Sequence, residues 1–324
     1  MLARLQKTTT LLLIVAALGW AASAVSAGRA SLAWIGAFAI AAVYGGVLAL
    51  EFYLLHRSYG PADANRPSGR QLVSCWWMEC AVAPRVFLWQ QPFRSLVHAD
   101  RLIPLVQPTR RGVVLVHGFF CNRGIWNPWM DRLERSGVPF VAVNLEPVFG
   151  SIDRYTDIID RAVSALEAAT GAQPVIVAHS MGGLAVRAWI ANGNEGRFHR
   201  VVTIASPHQG TGIARRGFSA NTREMGMGSR WLHALGHRES VATHRRFTCF
   251  WSHCDNIVFP TSNATLSDAD NRLLVATPHV RMVFHPAVIE EVVRLLGEAA
   301  SPVTRSAAGT PRSEPGAGSH PAKG

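Results

Sequence analysis

Residues 174–184, PVIVAHSMGGL, limit the fold of this chain more than any other stretch. Residues 175–178 are a short apolar run rich in β-branched side chains, and residues 184–191 form an apolar segment compatible with a helix. His179, Ser180, Met181, Gly182 and Gly183 stand between them. A strand that turns this tightly into a helix holds its apex residue in a strained backbone conformation, so the flanking positions must be small. Gly182 and Gly183 meet that need, and Ala178 fills the small position two residues before the serine. Ser180, at the apex, is therefore a candidate nucleophile at the edge of a sheet.

A chain of 324 residues holds one large α/β domain plus attachments. The attachment at the front is apolar. Residues 11–27 and 30–50 carry no charge, Arg29 lies between them, and Glu51, His56 and Arg57 close the second run. Each run has the length of a membrane-crossing helix. Together they predict a transmembrane helical hairpin, and residues 1–57 are read as a membrane anchor. The basic start and small-residue end of the first run also fit a signal peptide. Arg4, Lys7, Arg57, Arg66 and Arg70 outside the runs, against Arg29 between them, favour a cytoplasmic body. The net charge of +11 is almost wholly arginine, the only lysines being Lys7 and Lys323. That bias fits either GC-rich coding or attraction to anionic head groups. No basic stripe interleaved with aromatics points to nucleic acid. Five cysteines at spacings that match no zinc site predict free thiols rather than a disulfide framework.

Residues 58–101 read as a linker followed by a juxtamembrane aromatic helix with Trp76, Trp77, Phe87, Trp89 and Phe93. The rings suit either a head-group layer or one edge of the core. The remaining pattern, residues 102–300, alternates strands and helices. Strands are expected at 113–116, 139–144, 175–178, 201–205, 247–252 and 273–276, with helices at 155–169 and 286–296. Such alternation implies an α/β fold, a mostly parallel sheet with helices on both faces, its strand C-termini along one edge. Residues 209–246, with Met225, Met227, Trp231, Leu232 and Leu235, are an insertion that reads as a lid or cap, or else as a fixed connection. Residues 301–324, rich in Ser, Pro, Gly and Ala, read as a disordered tail.

A serine hydroxyl needs a base to take its proton and a carboxylate to hold that base. Asp255 follows one predicted strand and His279 the next, which gives the order Ser, Asp, His with each residue in a loop after a strand. His285 is the alternative base, and Asp268 and Asp270 the alternative acids. An oxyanion needs two N–H donors. Met181, after the nucleophile, and Phe119, after His117-Gly118, are the candidates. His117 and His179 read as packed or bracing neighbours and His208 as shaping the mouth of the site. The consecutive His253, Cys254 and Asp255 cannot all face one ion, so no metal is assigned.

These blocks, VVLVHGFFCNRGIW (113–126), VIVAHSMGGL (175–184), VVTIASPHQGTG (201–212), DNIVFP (255–260) and TPHVRMVFHPAV (277–288), resemble the bacterial lipase and esterase branch of the α/β-hydrolases. The resemblance implies an α/β-hydrolase fold with Ser180 as nucleophile, Asp255 as acid, His279 as base and Phe119 and Met181 as oxyanion donors. It also implies carboxylic ester cleavage through an acyl-enzyme, an ester or lipid-like substrate and no cofactor. Combined with the hairpin, it places the chain at a bacterial inner membrane. Pro278 departs from the Gly-His usual in these lipases, and the hairpin departs from their secreted form. Acyl transfer, thioester hydrolysis and a silent membrane scaffold are rival readings.

Overall fold

The computed structural model describes residues 1–102 and 111–298. Six parallel strands form one sheet in the order β2-β1-β3-β4-β5-β6. They are β1 (Val113–Val116), β2 (Phe140–Ala142), β3 (Val175–His179), β4 (Arg200–Ile204), β5 (Phe247–Trp251) and β6 (Asp270–Leu273). Side chains on a strand alternate between faces, and here both faces are covered. Val113 and Leu115 join one core with Trp129, Met130, Val288 and Val292, while Val114 and Val116 join another with Ile159, Val163, Leu184 and Trp189. That is why the central strands read as unbroken apolar runs.

The chain reaches this sheet through α1 (Leu2–Ser26), α2 (Ile35–Ser58), α3 (Gly69–Pro84), a π-helical turn (Arg85–Gln90) and the short α4 (Gln91–Phe93). Both α1 and the segment Ala30–Ser58 are long and apolar enough to cross a membrane. They join through Gly28, whose φ of +71° makes the turn. The helices are longer than the apolar runs: α1 starts at Leu2 rather than residue 11, and α2 continues to Ser58 rather than stopping near residue 50. Backbone hydrogen bonding does not stop where hydropathy does, and the polar residues at these ends have partners on the body. Leu2, Gln6 and Thr10 of α1 and Gly45, Leu48, Phe52 and Leu55 of α2 are buried, so both ends of the hairpin sit against the body. The aromatic segment after it divides: Phe87 packs on the core, whereas Trp77 and Trp89 are exposed.

After the sheet's first strand come α5 (Asn127–Arg135), α6 (Thr156–Thr170) and α7 (Met181–Trp189). Residues 209–246 contain α8 (Ala220–Glu224), α9 (Arg230–Gly236) and α10 (Val241–His244), and α11 (Pro286–Gly297) ends the described fold. The insertion buries Met225 and Leu235 and is pinned to α7 by a buried ion pair, Arg187 Nη2 to Glu239 Oε2 at 2.6 Å. Burial alone would raise the Glu239 carboxyl, but Arg187 holds it down to about 2. The last strand is a correction: β6 is Asp270–Leu273, three residues before the expected 273–276. It is a largely exposed edge strand, so hydropathy does not mark it, and the apolar residues that suggested a strand follow it in the loop toward His279. The proposed tail, residues 301–324, lies outside the described residues.

Candidate active site

Ser180 caps the N-terminus of α7 with φ 54° and ψ −128°, a conformation that costs a non-glycine residue energy. The fold tolerates it because neighbouring backbone closes in on both sides. The Ser180 N–H donates to the Ile204 carbonyl at 2.8 Å. A Cβ on Gly182 would stand 2.6 Å from the His117 carbonyl oxygen, and one on Gly118 would stand 2.7 Å from Ser180 Cβ. Only glycine allows these approaches. They bring the loop after β1 against the elbow, so Phe119 follows a residue already touching Ser180. Met181 opens α7, where backbone N–H groups have no partner within the helix.

His117 secures the loop. Its Nδ1 donates to the Gly118 carbonyl at 2.9 Å and its Nε2 accepts from the Leu145 N–H at 3.0 Å. With both ring nitrogens engaged and the ring buried, burial pushes its pKa down to about 4, and it serves as a neutral brace. Gln6 of α1 supports the same loop: its Nε2 donates to Gln91 Oε1 at 3.0 Å and to the Phe120 carbonyl at 3.4 Å, while its Oε1 accepts from Asn122 Nδ2 at 3.2 Å.

Asp255 and His279 come together from the loops after β5 and β6. His279 Nδ1 lies 2.9 Å from Asp255 Oδ1 and 3.1 Å from Oδ2. Asp255 Oδ1 also accepts the N–H groups of Ile257 and Val258, each at 2.9 Å, which fixes the carboxylate. Burial disfavours the imidazolium of His279, but the charge of Asp255 outweighs it and holds the pKa above the ordinary histidine value. His279 also packs against His179, the residue before Ser180, at 4.7 Å between ring centroids. Burial, reinforced by the neighbouring His279 charge, keeps His179 neutral. Among the described residues no hydrogen bond joins the Ser180 hydroxyl to His279. Such bonds commonly tighten only when substrate arrives.

The alternatives lie elsewhere. His285 accepts the Ala287 N–H and caps α11. Asp270 pairs with Arg272 on the exposed edge strand, and Asp268 sits in a turn at φ 62°. His208, expected at the mouth, has its ring buried against Thr203 and Cys249.

Three residues at the site were assigned no role from the sequence. Asn256 accepts the His279 N–H at 3.2 Å and donates to Glu51 of α2 at 2.7 Å. Glu79, the sole acid of α3, accepts the Val280 N–H at 2.9 Å and is 1% exposed. Burial raises its carboxyl to about 7. The available signal was an acid within the apolar run WWMECAV.

Residues 113–319 match the model of the alpha/beta hydrolase family. A comparison with curated protein sequences returned no match. Among solved structures, the chain is similar to Bacillus licheniformis lipase BlEst2 in mature form, with TM-score 0.52 and 15% identity over 60% of this chain and 95% of that one. It is also similar to Aspergillus fumigatus lipase B, with TM-score 0.51 and 17% identity over 64% of this chain and 57% of that one. At these identities the likeness concerns the fold. The family match spans more than half the chain and fits the parallel sheet and the strained serine turn: this protein belongs to the alpha/beta hydrolase family.

Proposed function

We propose that this chain is a membrane-anchored serine hydrolase that cleaves carboxylic esters of acyl-chain or lipid-like substrates. One observation carries the reading: a serine held at φ 54° on the turn from β3 into α7, with an aspartate–histidine pair at 2.9 Å on the loops after β5 and β6. Ser180 Oγ attacks the ester carbonyl carbon as His279 takes its proton, and Asp255 stabilises the imidazolium. The N–H groups of Phe119 and Met181 hold the oxyanion. The alcohol leaves with the proton from His279, and a water activated by the same ring releases the acid. Lipase activity in the two structural neighbours supports the choice of ester substrates.

The hairpin supports a lipid source for them. Residues 11–26 of α1 project beyond its buried end for about 24 Å, short of a hydrocarbon core of about 30 Å. A hairpin of that reach draws the rim of the body into the head-group layer. Phe119, Phe120 and Phe149 cluster on that rim, with ring centroids 6.0 to 6.3 Å apart, beside the α1 contact at Phe120. Both hairpin ends then lie on one side of the membrane, the cytoplasmic side by the arginine distribution. The hydrolase domain occupies residues 102–300, and the insertion at 209–246 forms a cap.

The test is Ser180→Ala in the full-length protein. Hydrolysis of p-nitrophenyl esters and labelling by a fluorophosphonate both disappear, and retention of either removes Ser180 from the mechanism. Esters of graded chain length measure acyl preference in the wild type.

A further inference from the structure

Resting on that reading of Ser180 and His279, we propose that Glu79 is a positioning residue for His279, supplied by a helix that precedes the hydrolase domain. The loop carrying His279 is gripped at two successive backbone N–H groups. The His279 N–H donates to Asn256 Oδ1, and Asn256 is held in turn by Glu51 of α2. The Val280 N–H donates to Glu79 Oε1 of α3. The loop carrying Asp255 is tied to the same two helices and the link between them. Tyr59 Oη donates to the His253 carbonyl at 2.8 Å, and Cys75 of α3 shares a buried cluster with Cys254.

Glu79 is a costly way to cap the backbone of one loop. A carboxylate excluded from water is unfavourable unless its interactions compensate, and Glu79 Oε2 is buried with no hydrogen-bond partner among the described residues. Packing α3 would need only an apolar side chain. What the carboxylate adds is a rigid acceptor beside the base and a negative charge near the imidazole. The groups facing that imidazole are Asp255, Glu51, Glu79 and the His179 ring, and the three acids all favour its cation. Because the cation forms as the ester is attacked, Glu79 acts on the step after binding.

The experiment compares Glu79→Leu and Glu79→Gln in full-length protein in detergent micelles, with rates expressed per site titrated by the fluorophosphonate. Leu removes the acceptor; Gln keeps it and removes the charge. The expected result for Leu is a kcat lower by up to about 100-fold with KM changed less than about twofold. Gln recovers most of kcat, and its acidic limb moves to lower pH because the imidazolium has lost a supporting charge. A Leu variant with reduced thermal stability but unchanged kcat per titrated site and unchanged pH limb assigns Glu79 to packing and overturns the proposal. If the wild type does not react with the fluorophosphonate, the Ser180 reading fails instead. Amide exchange at His279 and Val280 then decides this one: faster exchange in Leu than in Gln supports it, and equal exchange overturns it.

Discussion

The two halves of the candidate site are held by different kinds of force. The nucleophile half is built from backbone: β3 buried in the sheet, a strained serine, and glycines that let His117 and Ser180 approach within what a Cβ would forbid. The acid–base half is built from polar side chains, and several of them come from far away in sequence. Val280 and Glu79 are 201 residues apart and Asn256 and Glu51 are 205 apart. A close-packed backbone has little room to yield, whereas hydrogen-bonded loops can be adjusted by one side chain. The first half should therefore answer mutation in stability, and the second in rate.

The largest effect expected is at Asp255. Asp255→Asn keeps an oxygen for the Ile257 and Val258 N–H groups but presents an amide to His279, which favours the wrong tautomer. We expect kcat to fall on the order of 10⁴-fold with little change in Tm. A large loss of Tm would blur the contrast between the halves. Gly182→Ala should do the opposite. Its new Cβ meets the His117 carbonyl at 2.6 Å, and overpacking costs about 1–3 kcal/mol, read as a lower Tm by calorimetry. A variant with wild-type Tm would show that the elbow is softer than the packing implies.

Glu79→Gln tests the acid–base half for stored cost. The folded carboxyl, at about 7, lies above its ordinary value, so its stabilising contribution is complete at pH 4 and is lost as pH rises through 7. Gln should leave Tm unchanged at acidic pH and raise it at pH 8, by up to about 3 kcal/mol of stability. An equal Tm at both pH values would remove the cost. The pH profile of kcat/KM gives a smaller signature. His279 must be neutral to accept a proton, and its pKa is raised, so the acidic limb should lie above the ordinary histidine value of 6.5. A limb below 6.5 would mean that burial outweighs Asp255. Gln6→Ala, at the oxyanion loop, should slow acylation by about two- to threefold, since Gln91 and His117 still hold that loop.

The same contrast decides what the sequence discloses. The elbow, the loop after β1 and Asp255 could be placed because each follows a buried apolar strand, so local order along the chain stands for position in space; His279 was reached instead through apolar loop residues taken for the last strand. β6 was displaced by three residues because an exposed edge strand, DNRL, lacks an apolar pattern. Glu51 was read as the end of an apolar run, and Glu79 was given no reading. Neither has a local signal that names its partner, since the groups that each one binds lie some two hundred residues away. The polar starts and ends of α1 and α2 were missed for a related reason: hydropathy reports lipid-facing length, not the turns that dock on the body.

The two grips on the base loop also differ in what they ask of inheritance. Glu79 binds main chain, so position 280 is free to drift while position 79 is not. Glu51 and Asn256 meet side chain to side chain, so a change at either must be answered at the other. Exchange of the hairpin between lineages by recombination near residue 101 would separate both partners at once. Descendants of such an exchange would keep the sheet and the serine turn and lose the alignment of the base.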